Sequence, residues 1–505
     1  MTTKVHIKKE EGFVEAGWKL NADDEACYID ALEEPYDPNK EYSQWDELPD
    51  LLLEEIFSYL TVQERYYASL VCSRWYEAFY LPGVWKNFIV KDKTLTRQKY
   101  NYYSGWQNVL DHLKCQQCFT RIGRFIKGLT FRPEYNFNNL FQFISLLSWC
   151  MEQKIDAHTG QEDYVGIGSR IRKLDYLFPC NMSYSEDPES IKLFGTGGSM
   201  LVSLKRFMSN IRCLRVLKLT DLMLERFEAK HLLDEVLEKN AMNLKILNLV
   251  NVTSMHCPIM HVGVFLNLQV LEISPQNIDD DILMLISDGN LKHLCLHQNR
   301  YSPAGDGISS CSAKAWEGVK KGNPKLKVHL SIDSDSADAE IVLQVNAPVY
   351  SVIYSTPNTK ITATKVVRII DSYSKTLQIY GFKSSLQNPK MDFNSRIDSL
   401  VVLTCRTCPY LRHLVINEPV SSATMLLAAH TATNLERIYA RKSNILLKCD
   451  WPKNPDWTEE FYEWLKSSCN KIETTEKEIS QILGYDFAFL SNDAFDLLDL
   501  DVRRL

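Results

Sequence analysis

The sequence predicts an α/β protein in which a short module of three helices near the N-terminus precedes an irregular solenoid of strand–helix units with a parallel sheet. Two observations carry this prediction. A compact apolar run, LPDLLLEEIFSYL, occupies Leu48–Leu60, and a pattern of the form L-x-x-L-x-L recurs along the rest of the chain, separated by segments with helical periodicity. A single strand–helix pair cannot bury its own apolar face, so neighbouring pairs are expected to stack.

Length and composition exclude several classes of protein. At 505 residues the chain is longer than one ordinary domain. The net charge of −7 argues against a protein built to hold nucleic acid, and no cluster of Lys and Arg interleaved with aromatics stands out. There is no signal-peptide pattern and no apolar run of about eighteen residues, so we expect no membrane partner and a cytoplasmic or nuclear location.

Residues 1–44 are predicted to form an acidic leader, and helices are predicted to follow it. The leader is predicted to be flexible, because Asp and Glu concentrate after residue 21 and prolines interrupt any helix. Pro49 suits the first turn of a helix. Thr61-Val62-Gln63-Glu64 has the form of a capping box and predicts the start of a second helix. Apolar residues at helical spacing follow Pro49: Leu52, Leu53, Ile56, Phe57 and Leu60.

This helical module is too small to be stable alone, because about forty residues bury too little surface to offset the entropy of the chain. It therefore needs a further surface to pack against. Periodicity leaves two possibilities open, namely the rest of this chain or a second protein.

The order of residues over about 45–88 closely resembles the F-box, with Trp45-Asp46-Glu47-Leu48-Pro49, Ile56-Phe57-Ser58-Tyr59-Leu60, Val71-Cys72-Ser73-Arg74-Trp75-Tyr76 and Trp85 at the family's spacing. The resemblance implies a three-helix module that binds the Skp adaptor of SCF ubiquitin ligases, and through it the cullin and RING subunits. It implies adaptor contacts at Leu48 and Pro49, then at Leu52, Leu53 and Ile56. Val71, Cys72 and Trp75 match positions that either pack the module or face the adaptor.

The L-x-x-L-x-L pattern predicts a solenoid of leucine-rich repeats over residues 89–450. Starts between Leu244 and Leu291 are about 23 or 24 residues apart, and other intervals reach about 45, as expected for repeats with insertions. A further stretch, Leu326–Ile332, fits with a shift of one residue. The clear copies begin at Leu214, Leu244, Leu268, Leu291, Leu411 and Leu435, and the weaker ones at Ile126, Ile171, Val349 and Leu377.

Alternation along these strands assigns the residues between the leucines to the concave face of the solenoid. We expect Asn248, Glu272 and Cys295 to form an exposed row there. Asn248, Glu272 and His293 are the candidate contacts to an unidentified protein target. The alternative that these side chains are merely solvated stays open.

Few residues suggest chemistry. Cys115-x-x-Cys118 and Cys405-x-x-Cys408 have the spacing of zinc half-sites, but they lie about 290 residues apart, and each is expected to be a pair of core thiols. We therefore expect no catalytic residue, no metal and no cofactor. Residues 451–505 are predicted to form a helical cap over the last repeat, and the role of the acidic end stays open.

An F-box followed by such repeats is similar to the F-box/leucine-rich-repeat proteins, and residues 400–416 more loosely resemble F-box-only proteins. The resemblance implies a non-catalytic, substrate-recognition subunit of an SCF E3 ubiquitin ligase. The alternative is a scaffold or inhibitor that uses its repeats without ubiquitin transfer.

Overall fold

The computed structural model describes residues 45, 47–133, 136–153, 166–181, 193–303, 310–333, 341–355, 363–383 and 393–497. The chain divides into two compact units. Unit 1 comprises residues up to 224 with 231–244, and unit 2 comprises 225–230 with residues from 245 onward. The predicted leader, 1–44, and the last eight residues of the tail, 498–505, lie outside the described residues. Within the described ranges, no helix is long and apolar enough to cross a membrane.

The described part of unit 1 opens with three short helices: α1 (Asp50–Tyr59), α2 (Val62–Ser69) and α3 (Ser73–Ala78). The predicted capping box starts α2. The Thr61 hydroxyl accepts from the amide of Glu64 at 3.3 Å, and the Glu64 carboxylate accepts from the amide of Thr61 at 2.7 Å. The Cys72 thiol caps α3 by accepting from the amide of Trp75 at 3.5 Å. This cap marks the boundary between α2 and α3 that periodicity does not show.

Four parallel strands, in the order β1-β4-β5-β6, follow in the described residues of unit 1. Phe88, Leu129, Leu174 and Leu217 lie side by side in this sheet and form a buried row. The elements are β1 (Asn87–Val90), β2 (Thr96–Asn101), β3 (Gly105–Leu110), α4 (His112–Ile122), β4 (Gly128–Phe131), α5 (Phe137–Glu152), β5 (Lys173–Leu177), α6 (Gly198–Ser209), β6 (Val216–Thr220), α7 (Arg226–Ala229, which belongs to unit 2) and α8 (Asp234–Asn240).

Unit 2 continues the alternation of strands and helices. Its described residues include eight parallel strands in the order β7-β8-β9-β10-β11-β12-β13-β15. The elements up to the last repeat are β7 (Ile246–Val250), β8 (Val270–Ile273), α9 (Asp280–Ser287), β9 (His293–Asn299), α10 (Ala313–Gly322), β10 (Lys327–Asp333), β11 (Val349–Tyr354), α11 (Ala363–Tyr373), β12 (Ile379–Phe382), α12 (Asp398–Thr407), β13 (His413–Ile416), β14 (Val420–Ser421), α13 (Ser422–Thr431), β15 (Arg437–Ala440) and β16 (Ile445–Leu446).

The predicted repeats are confirmed as strand–helix units. Every stretch predicted as a repeat strand contains a strand, including the four weaker copies and the shifted one. In the clear copies the strand begins two residues after the first leucine, as with Leu244 and β7. The architecture is therefore the predicted α/β solenoid, with the helical module before it.

The C-terminal segment packs on the last repeat of unit 2. Its helices are α14 (Glu459–Ser468), α15 (Ile472–Leu483) and α16 (Asn492–Asp496). The first eight residues of α13 are all buried. The Ser422 hydroxyl at the start of α13 donates to the carbonyl of Cys469 at 2.7 Å, and the Trp451 indole donates to the Thr424 hydroxyl at 2.7 Å. These contacts cover the helix that would otherwise form the end of the solenoid.

Candidate functional site: the surface of the N-terminal helices

The three N-terminal helices close around a small aromatic core. Leu53 and Phe57 on α1 are completely buried. The ring of Phe57 meets that of Trp75 on α3 edge to face, with centroids 5.6 Å apart. Trp85, also completely buried, packs against Phe79 with ring centroids 5.0 Å apart and donates to the carbonyl of Phe79 at 2.5 Å. These rings tie the helices to the start of the sheet in unit 1.

Arg65 joins α1 to this core from α2. Its guanidinium donates to the carbonyls of Phe57 at 2.9 Å and Ser58 at 3.1 Å, at the C-terminal end of α1. It also lies 4.9 Å from the centre of the Trp85 ring. Burial lowers the pKa of Arg65 to about 10, which leaves it charged at neutral pH. A cation at this position satisfies carbonyls that the helix leaves unpaired and complements its dipole.

The segment that enters α1 is held by α3. The Arg74 guanidinium donates twice to the carbonyl of Leu48, at 2.8 and 3.1 Å, and forms an ion pair with Asp50 at 3.1 Å. The Trp75 indole donates to the carbonyl of Trp45 at 3.1 Å. The backbone before α1 is therefore fixed by side chains that come about 26 to 30 residues later in the sequence.

One side of α1 presents apolar side chains to solvent. Pro49, Leu52, Ile56 and Tyr59 follow each other at intervals of three, four and three residues, so they share one side of the helix. Leu52 is 49% exposed and Tyr59 is 80% exposed. Pro49 is also exposed, and Ile56 is half-buried. We call these four residues the apolar stripe. The Tyr59 hydroxyl donates to the Glu55 carboxylate on the same helix at 3.0 Å, and the apolar parts of the row that stay exposed are typical of a protein-binding surface.

Most of the predicted adaptor contacts are at least partly exposed. Leu48, Cys72 and Trp75 are half-buried, whereas Pro49, Leu52 and Val71 are exposed. Leu53 is a correction. Its side chain is completely buried within the chain, so Leu53 stabilises the module and is not available to a second protein.

Sequence reasoning gave no individual role to Tyr59, Arg74 or Leu51. Tyr59 extends the apolar stripe by one turn, and its i+3 spacing from Ile56 was the available signal. Arg74 holds the segment that enters α1. This role could not be predicted from residue spacing, because the Arg74 guanidinium donates to a backbone group, the carbonyl of Leu48. Leu51 is 75% exposed but lies on a different side of α1 from the stripe.

The second predicted site lies on the strands of unit 2. The register sets Asn248 beside Glu272 and Glu272 beside Cys295, so these residues do form one row. Their expected exposure is wrong for two of the three, because Asn248 is 7% exposed and Cys295 is 9% exposed. Oδ1 of the Asn248 side chain accepts a hydrogen bond from the backbone amide of Val250 at 3.2 Å. Asn248 and Cys295 are therefore part of the interior, while Glu272 keeps partial exposure.

Three histidines lie on the neighbouring strands β9 and β10. His293 is half-buried, and its Nδ1 lies 3.0 Å from Nε2 of His329. Nδ1 of His329 lies 2.7 Å from the Ser351 hydroxyl. Nδ1 of His297 lies 3.9 Å from the Glu272 carboxylate. Because strands in a sheet are about 4.8 Å apart, large side chains in neighbouring rows shield one another, which is why the simple alternation overestimates exposure.

The two Cys-x-x-Cys pairs lie inside the protein. Burial raises the pKa of Cys115 to about 12 and that of Cys118 well above its ordinary value. Burial also raises the pKa of Cys405 and of Cys408 to about 12. Zinc binds the thiolate, so thiols held protonated are poor ligands. Among the residues with described positions, no group of three or more His, Cys, Asp or Glu side chains is placed to hold a metal ion.

Comparison with known proteins agrees with the geometry of the N-terminal helices. A family model described as F-box-like matches residues 45–91. The mouse (Mus musculus) protein named F-box/LRR-repeat protein 21 is 21% identical over 292 residues, which are 56% of this chain and 58% of that protein. The chain thus spans less than two thirds of the relative's length. The chain carries an F-box-like domain at residues 45–91 with strand–helix repeats after it, and over about half of its length it is similar to a protein whose name combines the same two parts.

Proposed function

We propose that this chain is the substrate-recognition subunit of an SCF-type E3 ubiquitin ligase. Its F-box binds the Skp adaptor, which connects it to the cullin and RING subunits, and its repeats bind a protein target. One observation carries the proposal: the F-box-like match coincides with three helices that leave the apolar stripe exposed. The name of the mouse relative combines the same two parts.

The apolar stripe is suited to adaptor binding on energetic grounds. A few well-buried anchors of about 2 kcal/mol or more each account for most of the affinity of a typical interface. Leu48, Pro49, Leu52 and Ile56 are the proposed anchors, with Val71 and the exposed parts of Cys72 and Trp75 beside them. Because Arg74 already holds the entry segment, little conformational entropy is lost when the adaptor binds.

The proposed role of the chain is positioning. The F-box fixes one end to the ligase, and the repeats hold the target close to the conjugating enzyme that carries ubiquitin. Ubiquitin transfer then takes place between groups at high effective concentration rather than between separate molecules. We propose that this occurs in the cytoplasm or the nucleus.

The proposed role is non-catalytic, as is typical of F-box/leucine-rich-repeat proteins. Within the described residues, the Ser351 hydroxyl lies 2.7 Å from Nδ1 of His329, which is the spacing of a nucleophile and a base. Ser351 is completely buried and His329 is 2% exposed, so a substrate cannot reach the oxygen. This pair therefore joins two strands rather than performing chemistry.

For target binding, Glu272 and His293 remain the proposed contacts on the strands, since both side chains are partly exposed. Asn248 is no longer among them because it is buried. A carboxylate and an imidazole on the neighbouring strands β8 and β9 favour a target segment with polar or cationic groups.

The test uses neighbouring leucines of α1 that differ in their placement. Leu52→Asp puts a charge into the apolar stripe, whereas Leu51→Asp puts the same charge on another side of the helix. We expect Leu52→Asp to weaken capture of the Skp adaptor and cullin by the full chain by about tenfold or more, and Leu51→Asp to leave it unchanged. Circular dichroism of both variants checks that the helices remain folded. Undiminished capture by Leu52→Asp contradicts the proposal.

A second measurement separates the ligase subunit from a scaffold or inhibitor. The wild-type complex, reconstituted with the conjugating enzyme, should ubiquitinate a protein that binds the repeats, and Leu52→Asp should abolish this. If the wild-type chain binds a protein through its repeats but recruits no cullin, the result would favour the scaffold or inhibitor hypothesis.

A further inference from the structure

The hairpin of β2 and β3 is an exposed surface of unit 1 that the ligase role does not use. Four aromatic side chains near its turn face solvent: Tyr100, Tyr102, Tyr103 and Trp106. Tyr103 is 93% exposed. Tyr100 meets Trp106 edge to face at 5.4 Å, and Tyr102 meets Tyr103 in the same way at 5.3 Å. Exposed aromatic clusters of this kind are typical of binding surfaces.

The two faces of the hairpin differ in chemistry. Cross-strand pairing sets Tyr100 opposite Trp106, so both rings lie on one face. Arg97 and Lys99 occupy the alternate positions of β2 and therefore lie on the other face. The sequence from Lys93 to Leu110 contains no Asp or Glu, so the segment itself offers no carboxylate to offset these cations.

The base of the hairpin is anchored to the neighbouring helices. On the outer edge of β3, the amide of Leu110 donates to the side chain of Asn139 at 3.0 Å. The carbonyl of Asn108 accepts from the same side chain at 2.8 Å. On the outer edge of β2, the carbonyl of Thr96 accepts from Lys114 at 3.1 Å. These bonds hold the hairpin in place without covering its outer half.

The outer edge of β2 is open beyond Thr96. The amide of Leu110 forms its hydrogen bond away from β2, so Leu110 and its cross-strand partner Thr96 do not bond to each other. The backbone groups of Thr96, and of every second residue along β2, therefore point away from β3. Gln98 and Tyr100 thus present N–H and C=O groups that bond to no residue in the described ranges. A two-stranded ribbon with such an edge is marginal in water and is a template for a further strand.

We propose that this edge binds an extended peptide of a partner protein in which acidic and apolar residues alternate. The peptide backbone pairs with Gln98 and Tyr100 and adds a third strand. Its side chains then fall alternately beside the ring of Tyr100 and beside Arg97 and Lys99, which select apolar and acidic residues respectively. The hairpin carries only a few cations, and the chain has a net charge of −7, which favours a peptide over a nucleic acid, because nucleic acids bind through many phosphate contacts.

The binding site lies outside the F-box helices, so the inference does not depend on the proposed ligase role. The probe is a fluorescein-labelled peptide of about eight residues in which Glu and Val alternate, since a strand of that length covers the open edge. Fluorescence anisotropy measures its binding to the full chain. Gln98→Pro removes the outward N–H but no hydrogen bond between β2 and β3, and Gln98→Ala is its matched control because it keeps that N–H.

We expect Gln98→Pro and the pair Arg97→Glu with Lys99→Glu each to weaken binding by about tenfold, whereas Gln98→Ala leaves it unchanged. Circular dichroism and the melting temperature of each variant check that the chain remains folded. Three results would overturn the proposal. The first is that a peptide with its Glu and Val residues in two blocks binds as tightly as the alternating peptide. The others are that Gln98→Pro binds the alternating peptide as tightly as the wild-type chain, or that a single-stranded oligonucleotide binds more tightly than the peptide. Binding that appears only after removal of residues 1–44 would overturn it as well, by making the acidic leader the occupant.

Discussion

At the scale of single residues, a buried histidine makes the stability of unit 2 depend on pH. His413 on β13 is 8% exposed, and its ring stacks on that of Tyr439 at 6.4 Å. Burial lowers the pKa of His413 below its ordinary value of 6.5, and Arg412 and Arg437 lower it further against the opposing effect of Glu436. The folded protein therefore binds this proton more weakly than the unfolded chain does.

The sign of the pH effect follows from linkage. The stability that His413 contributes is complete above its unfolded pKa of about 6.5 and is lost as the pH falls through that value toward the lower folded pKa. We expect the free energy of unfolding to fall over this range, and to fall less in His413→Gln. Urea denaturation at several pH values measures it. His231→Gln, at an exposed site, is the control, and an identical slope in His413→Gln would contradict the assignment.

The buried thiols give a prediction about metal. Since burial raises the pKa of Cys115 and Cys118, and of Cys405 and Cys408, these side chains should stay protonated and bind no zinc. Elemental analysis of purified protein should find no stoichiometric zinc, and a chelator should leave the melting temperature unchanged. One zinc per chain would refute this.

At the scale of elements, a glycine sets how closely two strands approach. Gly381 on β12 pairs with Val415 on β13. A Cβ at Gly381 would lie 2.5 Å from the Cβ of Val415 and 2.8 Å from its carbonyl oxygen, closer than packing allows. We expect Gly381→Ala to lower the free energy of unfolding by about 1–3 kcal/mol, measured by urea denaturation. Gly289→Ala, whose Cβ would meet its nearest atom at 3.5 Å, should have little effect. Equal free energies of unfolding for the two variants would show that β12 and β13 can move apart without loss of stability.

The hairpin shows how pairing creates a surface that a linear sequence does not display. Arg97 and Lys99 are separated by Gln98 in the sequence and do not form a cluster with the aromatics. When β2 pairs with β3, alternation sorts them onto one face and sets Tyr100 against Trp106 on the other. The chemistry of the surface therefore depends on the register of the hairpin.

At the scale of the whole molecule, the C-terminal helices protect the end of unit 2. A solenoid needs such a cap because its terminal repeat has no neighbour. Removing residues 451–505 would expose α13, most of which is buried. We expect the truncated chain to melt at a lower temperature and to aggregate, as measured by calorimetry and light scattering. Trp451→Phe, which removes only the hydrogen bond to Thr424, should have a much smaller effect. A truncated chain that remains monomeric and equally stable would contradict the capping role.

Much of the fold could be predicted because its elements carry local signals. The capping box at Thr61 starts α2, and each L-x-x-L-x-L copy contains a strand. β1 was missed because Phe88 and Val90 form too short an alternation to recognise. The β2–β3 hairpin was missed because its mostly exposed strands show no regular alternation of apolar and polar residues.

The sequence by itself determined the strand–helix alternation, the three N-terminal helices and the resemblance to the F-box, since these depend on residues close together along the chain. Tertiary structure decided which leucine faces outward. Leu52 and Leu53 are identical, adjacent residues, but Leu53 is completely buried, whereas Leu52 is 49% exposed. Tertiary structure also buried Asn248, although alternation placed it on the expected face. Local periodicity fixes the direction of a side chain, but its burial depends on what distant parts of the chain pack against that side.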